Sequence, residues 1–435
     1  MTISFHTLGC KLNFAESSAI GKELISRGHQ RATQSQSADV CVVNTCSVTD
    51  AADHKGRQLI NRLRRENPDA TIIVTGCYAQ LKPQEIAQIT GVDYVLGNDE
   101  KFQIPQIIDQ IESDHLLKRQ DTFVKTSPIR EIDAFHPCIS STDRTRCFLK
   151  IQDGCNYFCT YCTIPMARGM SRNATIADTI ALAQQAINNG MKEIVLTGVN
   201  IGDFGRSTKE SFYDLIKALD QLEGEVRYRI SSIEPNLLSD EIIDFVAHSR
   251  HFAPHFHIPL QSGSDTILKI MKRHYDTALF QERIDHIKSV MPGAFIGVDV
   301  MVGLRGETPE LFEECRVFVC QLNVSQLHVF TYSERANTRM LDIDYIVPAK
   351  ERKRRSDILH EISAQKLAAF YAEHKGEPAI VLWEGRVKGT AKVGTEESDK
   401  QEGLKSLMSG FTENYIKLTA PYDKTKINTF EKVNI

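Results

Sequence analysis

Short apolar runs alternate with helical stretches through the first hundred residues, and this alternation constrains the fold more than any other feature of the chain. Strands are predicted at 3–8, 39–44, 70–75 and 94–96, with helices at 13–27 and from about 47 to 67. Such alternation predicts a parallel sheet, whose ligands lie beyond the carboxyl ends of the strands. Cys10, Cys46 and Cys77 each follow one of the first three strands, so we expect the three residues to meet in space.

A second series of strands and helices begins after residue 145. Its predicted strands lie at 147–152, 194–197, 227–231, 255–259, 295–302 and 326–331, with helices such as 175–189 and 277–291 between them. About six βα units predict a parallel barrel, complete or partial, whose active face lies where its strands end. The pattern fades at 126–144, which predicts a linker. A charged helix at 348–374 precedes short strands and turns at 376–435, which predict a small β-barrel.

Composition narrows the class of protein. The chain has 435 residues, enough for two or three domains. It lacks an apolar run of about 18 residues, so no membrane span is expected, and its first residues lack the pattern of a secretory signal. We therefore expect a cytoplasmic protein, in which 11 cysteines indicate metal binding rather than disulfides. The net charge of −4 means that contact with a nucleic acid would depend on local basic patches.

Three further cysteines, Cys155, Cys159 and Cys162, lie within eight residues of one another. Thiolates bind the iron of [4Fe–4S] clusters, normally four to a cluster, so three leave one iron open to another ligand. Zinc is the alternative, but structural zinc prefers two Cys-x-x-Cys pairs or cysteines with histidines at set spacing. No second pair or suitably spaced histidine follows here, so the pattern favours a cluster. The remaining cysteines, at 41, 138, 147, 315 and 320, are interpreted as packing or incidental residues.

The sequence segments around both sets of cysteines resemble those of known protein families. Cys-Asn-Tyr-Phe-Cys-Thr-Tyr-Cys, with Tyr161 before its last cysteine, resembles the cluster-binding segment of the radical S-adenosylmethionine (radical SAM) superfamily. Leu-Gly-Cys-Lys-Leu-Asn, Asn-Thr-Cys-Ser-Val and Thr-Gly-Cys-Tyr-Ala-Gln, around Cys10, Cys46 and Cys77, resemble the N-terminal cluster domain of the methylthiotransferases. Ser-Gly-Phe-Thr-Glu-Asn-Tyr, at 409–415, resembles the TRAM domain that ends those enzymes. The segment 150–172 is similar to the branch that acts on threonylcarbamoyladenosine in tRNA.

The resemblance implies a fold class and a division into domains. The expected class is α/β, with an N-terminal methylthiotransferase domain at 1–125 built on a parallel sheet. After the linker at 126–144, residues 145–373 would form a radical SAM domain, a partial (βα)6 barrel similar to a TIM barrel. Residues 374–435 would form the TRAM domain, a small β-barrel similar to an OB fold.

The resemblance also implies a mechanism that uses two [4Fe–4S] clusters and S-adenosylmethionine. The cluster on Cys155, Cys159 and Cys162 would cleave S-adenosylmethionine to a 5′-deoxyadenosyl radical, which would remove hydrogen from C2 of the adenine beside the anticodon. The cluster on Cys10, Cys46 and Cys77 would carry a sulfide that a second S-adenosylmethionine methylates, and the methylthio group would be delivered to C2. Three alternatives stay open: isopentenyladenosine in tRNA as the substrate, a ribosomal protein as the substrate, or an iron–sulfur sensor that binds RNA without turnover.

Several residues near the predicted strand ends are candidates for contact with S-adenosylmethionine. The candidates are Tyr161, Gly198, Asn200, Glu234, Gln261 and Asp299. Gly198 lies in Thr-Gly-Val-Asn-Ile-Gly-Asp, where a glycine lets the backbone approach a ligand closely. The alternative is that each residue caps a strand or a helix.

RNA contacts and other partners are predicted on fewer observations. Arg168 and Arg172, just past the cysteine segment, are candidates for contact with phosphates or the modified base, and Lys388, Lys392 and Lys417 are candidates in the TRAM-like region. The alternative for these lysines is an ordinary solvated surface. A flavodoxin-type or ferredoxin-type electron donor is expected, and the chain is expected to be a monomer. Two departures from the family stand out: Leu-Arg at 304–305, where Phe-Pro is usual, and Asn337, where Gly is usual.

Overall fold

The computed structural model describes residues 1–33, 37–114, 121–140, 145–387 and 407–435. Its helices are α1 (Lys11–Ser26), α2 (Asp50–Glu66), α3 (Cys77–Leu81), α4 (Pro83–Ala87), α5 (Ile104–Ser113), α6 (Ile164–Arg168), α7 (Ile176–Asn188), α8 (Phe212–Asp220), α9 (Asp240–His248), α10 (Asp265–Ile270), α11 (Thr277–Val290), α12 (Pro309–Gln321) and α13 (Ala349–Glu373). None of the helices in these ranges combines the length and the apolar character needed to cross a membrane.

The strands fall into three groups along the chain. The first group is β1 (Thr2–Thr7), β2 (Gln30–Arg31), β3 (Val40–Thr45), β4 (Thr71–Gly76), β5 (Tyr94–Leu96) and β6 (Phe123–Lys125). The second is β7 (Cys138–Ile139), β8 (Arg146–Lys150), β9 (Gln152–Asp153), β10 (Arg172–Asn173), β11 (Glu193–Thr197), β12 (Arg227–Ile230), β13 (His255–Gln261), β14 (Phe295–Val302) and β15 (Gln326–Thr331). The third is β16 (Pro378–Arg386), β17 (Leu407–Phe411), β18 (Lys417–Pro421) and β19 (Phe430–Asn434).

The first group forms a six-stranded parallel sheet in the order β2-β1-β3-β4-β5-β6. Every residue of β3 and β4 is buried because helices cover both faces, which accounts for their nearly continuous apolar sequence. The carboxyl ends of β1, β3 and β4 are therefore neighbours at one edge. The predicted parallel sheet is confirmed, and the predicted linker contributes the short strand β7, which pairs with β8.

The second group contains two parallel sheets that follow each other in chain order. One contains β8, β11 and β12, and the other contains β13, β14 and β15. Two isolated parallel bridges, between Tyr228 and Phe252 and between Ser232 and His257, connect β12 to the second sheet. Six parallel strands thus run β8-β11-β12-β13-β14-β15, and their apolar outer faces pack against the helices in a single core.

Helix α1 connects the first sheet to the central strands because it is buried on two sides. Ile20 and Leu24 pack with Ile3 of its own sheet, whereas Ala15 packs with Phe148 and Val195 of the central strands. The structure therefore fixes the amino end of α1, and Cys10 beside it, close to the central strands.

The third group of strands forms a curled antiparallel sheet in the order β18-β17-β16-β19, with a register shift between Trp383 and Gly385.

Candidate active site

The first cysteine site lies at the carboxyl edge of the first sheet. Cys10 ends the turn after β1, Cys46 follows β3 directly, and Cys77 begins α3 after β4. The backbone of Gly9 lies against Cys46, since a Cβ atom added to Gly9 would be 2.7 Å from the Cβ atom of Cys46. Electrostatic interactions connect each of these cysteines with the others. The sequence prediction that the three residues meet in space matches this geometry.

Burial and neighbouring charges both act on the Cys46 thiol. Burial raises the pKa of Cys46 to about 11, and repulsion by the Cys77 and Cys10 thiolates adds to the increase, whereas the Arg168 guanidinium opposes it. Asn98, which follows β5, places its amide Nδ2 3.8 Å from the Cys77 sulfur. A metal that binds the Cys46 sulfur must displace this proton, because the thiolate is the form of cysteine that ligates a metal.

The second cysteine site is the loop between β9 and α6, which holds Cys155, Cys159 and Cys162. Gly154 begins the loop with φ of +71°, and a Cβ atom there would be 2.0 Å from the carbonyl oxygen of Met170. The Cys155 amide also donates to the carbonyl of Gly169 over 3.0 Å, so the loop closes on the segment after α6. Burial raises the pKa of Cys162 to about 12, and repulsion by the other two thiolates contributes.

An arginine supports the second site from the central strands. Arg273 donates from Nη1 to the Cys159 sulfur over 2.9 Å, and its Nη2 is paired with Glu234, which follows β12. A charge-assisted hydrogen bond to a sulfur stabilises its thiolate form. Glu234, predicted to contact S-adenosylmethionine, thus contacts Arg273, which in turn contacts a cysteine of this loop.

The donor set of both sites fits iron–sulfur clusters. No three His, Cys, Asp or Glu side chains in the described ranges lie near enough to one another to ligate a single metal ion. A tetrahedral zinc site requires such convergence. The thiolates of a [4Fe–4S] cluster instead bind different iron atoms, and each trio supplies three of the four ligands that a cluster normally takes.

The segment after β11 is held against the second cysteine loop by Gln152. The Gln152 Oε1 accepts hydrogen bonds from the amides of Val199 and Asn200 over 2.8 and 2.9 Å, and its Nε2 donates to the carbonyl of Gly154 over 2.7 Å. Gly198 is required here, since a Cβ atom would be 2.8 Å from that same Oε1. Both side-chain polar atoms of Asn200 are buried and make no hydrogen bond of ordinary geometry, although the amide interacts with the nearby Tyr157 hydroxyl. An unsatisfied buried amide is costly, so this one is suited to a polar ligand.

A cavity of about 210 Å³ lies between the second cysteine loop and the segment that follows Cys46. Val48 and Thr49, just after Cys46, line one side, and Tyr161 and Cys162 line another. The remaining lining residues are Thr163, Ile164, Gln261, Asp299, Met301, Phe330, Thr331, Tyr332 and Ser333. The structure thus brings Tyr161, Gln261 and Asp299, three of the sequence candidates, to one cavity. The Asp299 carboxylate also accepts a hydrogen bond from the His257 Nε2 atom over 2.6 Å.

The arginines predicted to contact RNA lie in the interior. Arg168 is 1% exposed and is hydrogen-bonded to Asn13, Glu16 and Asp153. Arg172 is 8% exposed and donates to backbone carbonyls and to Asp153. The prediction that they meet phosphates or the modified base is corrected, because hydrogen bonds and ion pairs within the protein bury both side chains. Lys417 is exposed at the start of β18, and Lys388 and Lys392 lie outside the described residues.

The two departures from the family pattern have local explanations. Asn337 has φ of +65°, a conformation that asparagine tolerates better than most residues and glycine adopts freely. Arg305 donates to the carbonyl of Leu341 over 2.6 Å and pairs with Glu334, so it fastens its own loop to the next one. Neither residue lines the cavity beside the second cysteine loop.

Sequence reasoning missed Gln152 and Arg273. Each is a single polar residue without a spaced partner, and each acts on a segment that is distant along the chain. The signal for Gln152 was weak: a polar residue within the buried segment that leads to Cys155. Arg273 follows α10, and nothing in the local sequence connects it to Cys159.

Comparisons with known proteins agree with this arrangement. Residues 2–97 match uncharacterized protein family UPF0004, and residues 149–319 match the radical SAM superfamily. The chain is 39% identical to threonylcarbamoyladenosine tRNA methylthiotransferase MtaB of Bacillus subtilis, over 100% of this chain and 93% of that protein. It is 34% identical to MtaB of Aquifex aeolicus, over 89% and 94%. A tRNA-2-methylthio-N(6)-dimethylallyladenosine synthase of Clostridium botulinum (strain Langeland) is 28% identical, over 99% and 93%.

A solved structure supports the fold. The radical S-adenosylmethionine methyltransferase TsrM of Kitasatospora setae superimposes with a TM-score of 0.57 at 12% identity, covering 78% of this chain and 76% of that one. At this identity the likeness concerns the α/β architecture alone. The identity and coverage shared with the MtaB proteins go further, and the chain belongs to the MtaB family of threonylcarbamoyladenosine tRNA methylthiotransferases.

Proposed function

We propose that this chain methylthiolates C2 of N6-threonylcarbamoyladenosine beside the anticodon of tRNA. The observation that carries the proposal is the cavity lined both by Cys162 and by the segment directly after Cys46, because a sulfur donor and a radical source must act on the same carbon atom. The identity with the MtaB relatives over nearly their whole length supports the substrate.

Two [4Fe–4S] clusters and S-adenosylmethionine supply the radical and sulfur-transfer chemistry when bound. Cys155, Cys159 and Cys162 would hold one cluster, and the trio Cys10, Cys46 and Cys77 would hold the other. The C2–H bond of adenine is unactivated, so no side-chain base removes that hydrogen. The chain's own residues therefore bind, orient and exclude water rather than carry the reaction.

The positioning groups around the second cysteine site have separate roles in this proposal. Arg273 stabilises Cys159 in its thiolate form, and Glu234 keeps the guanidinium in place. The amide of Asn200 offers a donor and an acceptor to the amino-acid part of S-adenosylmethionine, on a backbone segment that Gln152 fixes. Tyr161, Gln261 and Asp299 line the space beside Cys162, where a nucleoside would enter.

The finer architecture and the partners form part of the same proposal. The six central strands would form a partial barrel, and the antiparallel sheet would serve as a TRAM domain with Lys388, Lys392 and Lys417 near the RNA. The domain boundaries would lie at 1–125, 145–373 and 374–435, with a linker between the first two. We further propose a monomer in the cytoplasm that receives electrons from a flavodoxin-type or ferredoxin-type protein.

Mass spectrometry of tRNA nucleosides tests the function. The protein, reconstituted with iron and sulfide under anaerobic conditions, would be incubated with S-adenosylmethionine, a reductant and tRNA that carries threonylcarbamoyladenosine. We expect the 2-methylthio nucleoside with the unaltered chain and its loss with Cys46→Ala. The control is Cys320→Ala, an exposed cysteine outside both trios. The proposal would be refuted if only tRNA that carries isopentenyladenosine gave product, or if Cys46→Ala gave as much product as the unaltered chain.

A further inference from the structure

A buried network of charged side chains lies between the first sheet and the central strands. Glu16 of α1 accepts from Lys150 over 2.8 Å and from Arg168 over 3.1 Å, and it is also paired with Lys101. Asp153 accepts from Lys150 over 2.7 Å and from Arg168 over 3.0 Å. Arg172 lies 3.4 Å from Asp153 at the margin of the network. The side chains of Glu16, Lys101, Lys150 and Arg168 are each at most 1% exposed.

The charges of this network do not balance. Glu16 and Asp153 provide two negative charges, whereas Lys150, Arg168 and Arg172 provide three positive charges, so a positive excess remains even without Lys101, whose pKa is lowered by burial. The rings of Phe102 and Phe135 lie 5.7 and 5.3 Å from the Lys150 Nζ atom and offset part of the excess. A buried charge without a counter-charge is costly, so a fold retains such an excess where an anion balances it.

Arg168 places part of this positive charge near the first cysteine site. Its Nη2 atom donates to the Asn13 Oδ1 atom over 2.6 Å, and the Asn13 amide donates to the carbonyls of Leu8 and Thr45, the segments that carry Cys10 and Cys46. The guanidinium also interacts electrostatically with the sulfurs of Cys10 and Cys77. Arg172, in contrast, contacts Asp153 and backbone carbonyls.

We infer that Arg168 is a positioning residue whose buried positive charge offsets the negative charge of a cluster on Cys10, Cys46 and Cys77 and raises its reduction potential. Three thiolates and a terminal sulfide make such a cluster anionic, and each added electron increases the negative charge. A nearby fixed cation therefore stabilises the reduced form more than the oxidised form. The inference rests on the proposed function, because it assumes that this trio holds a cluster.

The test measures the reduction potential of that cluster. Full-length protein in which Cys155, Cys159 and Cys162 are all replaced by alanine isolates the signal, and electron paramagnetic resonance follows the titration with a reductant. Arg168→Met should lower the equilibrium constant for reduction about tenfold, which corresponds to about 59 mV for one electron. Arg168→Lys keeps the charge and should change the constant less than threefold.

Two further variants make the result independent of folding defects in Arg168→Met. Glu16→Gln removes a negative charge from the same network and should shift the potential in the opposite, positive direction. Arg172→Met is the matched control, because this buried arginine at the margin of the same network contacts Asp153 and backbone carbonyls rather than the segments that carry these cysteines, and it should leave the potential within twofold in equilibrium constant. Iron content and circular dichroism would be measured for each variant.

The outcomes separate the two hypotheses. If iron is bound at this site and its reduction potential is the same in Arg168→Met, Glu16→Gln and the parent protein, the role of Arg168 is overturned and the proposed function is not. A shift with Arg168→Lys as large as that with Arg168→Met would also overturn it, because the charge would then be irrelevant. Absence of iron from the trio in the parent protein would instead overturn the proposed function.

Discussion

Gly76 lies where two strand ends approach most closely beside the first cysteine site. It has φ of +96°, and a Cβ atom there would be 2.4 Å from the carbonyl oxygen of Thr45 and 2.7 Å from its amide nitrogen. Both contacts are with backbone, which cannot move aside as a flexible side chain does. Thr45 and Gly76 precede Cys46 and Cys77, so the close approach of the backbones sets the separation of those cysteines.

Gly76→Ala should therefore destabilise the fold and disrupt the first site. We expect the free energy of unfolding to fall by about 1–3 kcal/mol more than in Gly28→Ala. Gly28 is a matched control because its φ is +95° while a Cβ atom there would meet nothing within 4 Å. Chemical denaturation and iron analysis after reconstitution check the prediction. Equal effects of the two variants would show that backbone strain, not the contact with Thr45, is what matters.

His255 is a buried imidazole at the start of β13. Burial lowers its pKa well below the usual value, and the positive charges of Arg229, Lys11 and His257 lower it further. The unfolded chain binds this proton below about pH 6.5, whereas the folded chain does not. The contribution of neutral His255 to stability is therefore present above that pH and is lost as the pH falls.

The expected pH dependence follows from that difference in proton binding. The free energy of unfolding should fall between pH 7 and pH 5, and it should fall less steeply in His255→Phe. The difference in slope should be at most about 1.4 kcal/mol per pH unit. Phenylalanine preserves the ring that stacks on Phe295 with centroids 5.5 Å apart. His54→Phe, at an exposed position, should leave the slope unchanged, and an unchanged slope in His255→Phe would contradict the assignment.

At the scale of elements, the antiparallel sheet is attached to the central strands through two arginines of β12. Arg227 donates to the carbonyls of Ile380 and Phe411, and Arg229 donates to the carbonyls of Thr412 and Glu413. Glu193 of β11 pairs with both guanidinium groups over 2.7 and 2.9 Å and is fully buried. These arginines hold the pKa of Glu193 at about 2 despite its burial.

Glu193→Gln should loosen the antiparallel sheet. Removing one partner leaves two buried cations uncompensated, so we expect a loss of about 3 kcal/mol or more in the free energy of unfolding. Hydrogen exchange should increase in β17, which receives a hydrogen bond from Arg227. Glu225→Gln, whose carboxylate forms an exposed pair with Lys192, should change neither quantity. Unchanged exchange in Glu193→Gln would contradict this account of the attachment.

The elements were more predictable than their contacts. The strand predicted at 295–302 matches β14, and those before Cys46 and Cys77 match within one residue, because buried parallel strands leave continuous apolar runs in the sequence. The convergence of Cys10, Cys46 and Cys77 followed from that topology. The burial of Arg168 did not, since its partner Glu16 lies 152 residues away, and charge pairing over such separations leaves no local pattern.

At the scale of the whole molecule, the separation of the two cysteine sites depends on how the first sheet is held against the central strands. The charged network around Glu16 fastens one side. On the other side, Arg335 donates from Nη2 to Ser47 over 2.6 Å and to Asp53 over 2.8 Å, just past Cys46. Arg335 follows β15, so this contact joins the loop after Cys46 to the central strands directly.

Loosening that contact should separate the two half-reactions that the proposed function couples. Arg335→Met leaves all six cysteines and the cavity residues near Cys162 in place, so formation of 5′-deoxyadenosine should stay within about twofold of the parent enzyme. Methylthiolated nucleoside should fall tenfold or more, because a misplacement of about 1 Å at a reacting centre costs on the order of a hundredfold in rate. Arg354→Met, on the exposed side of α13 where Arg354 pairs with Glu351, is the matched control and should change neither product. Loss of both products in Arg335→Met would mean that the arginine supports the fold as a whole. Loss of the nucleoside alone would identify Arg335 as a residue that holds the sulfur site in place against the radical site.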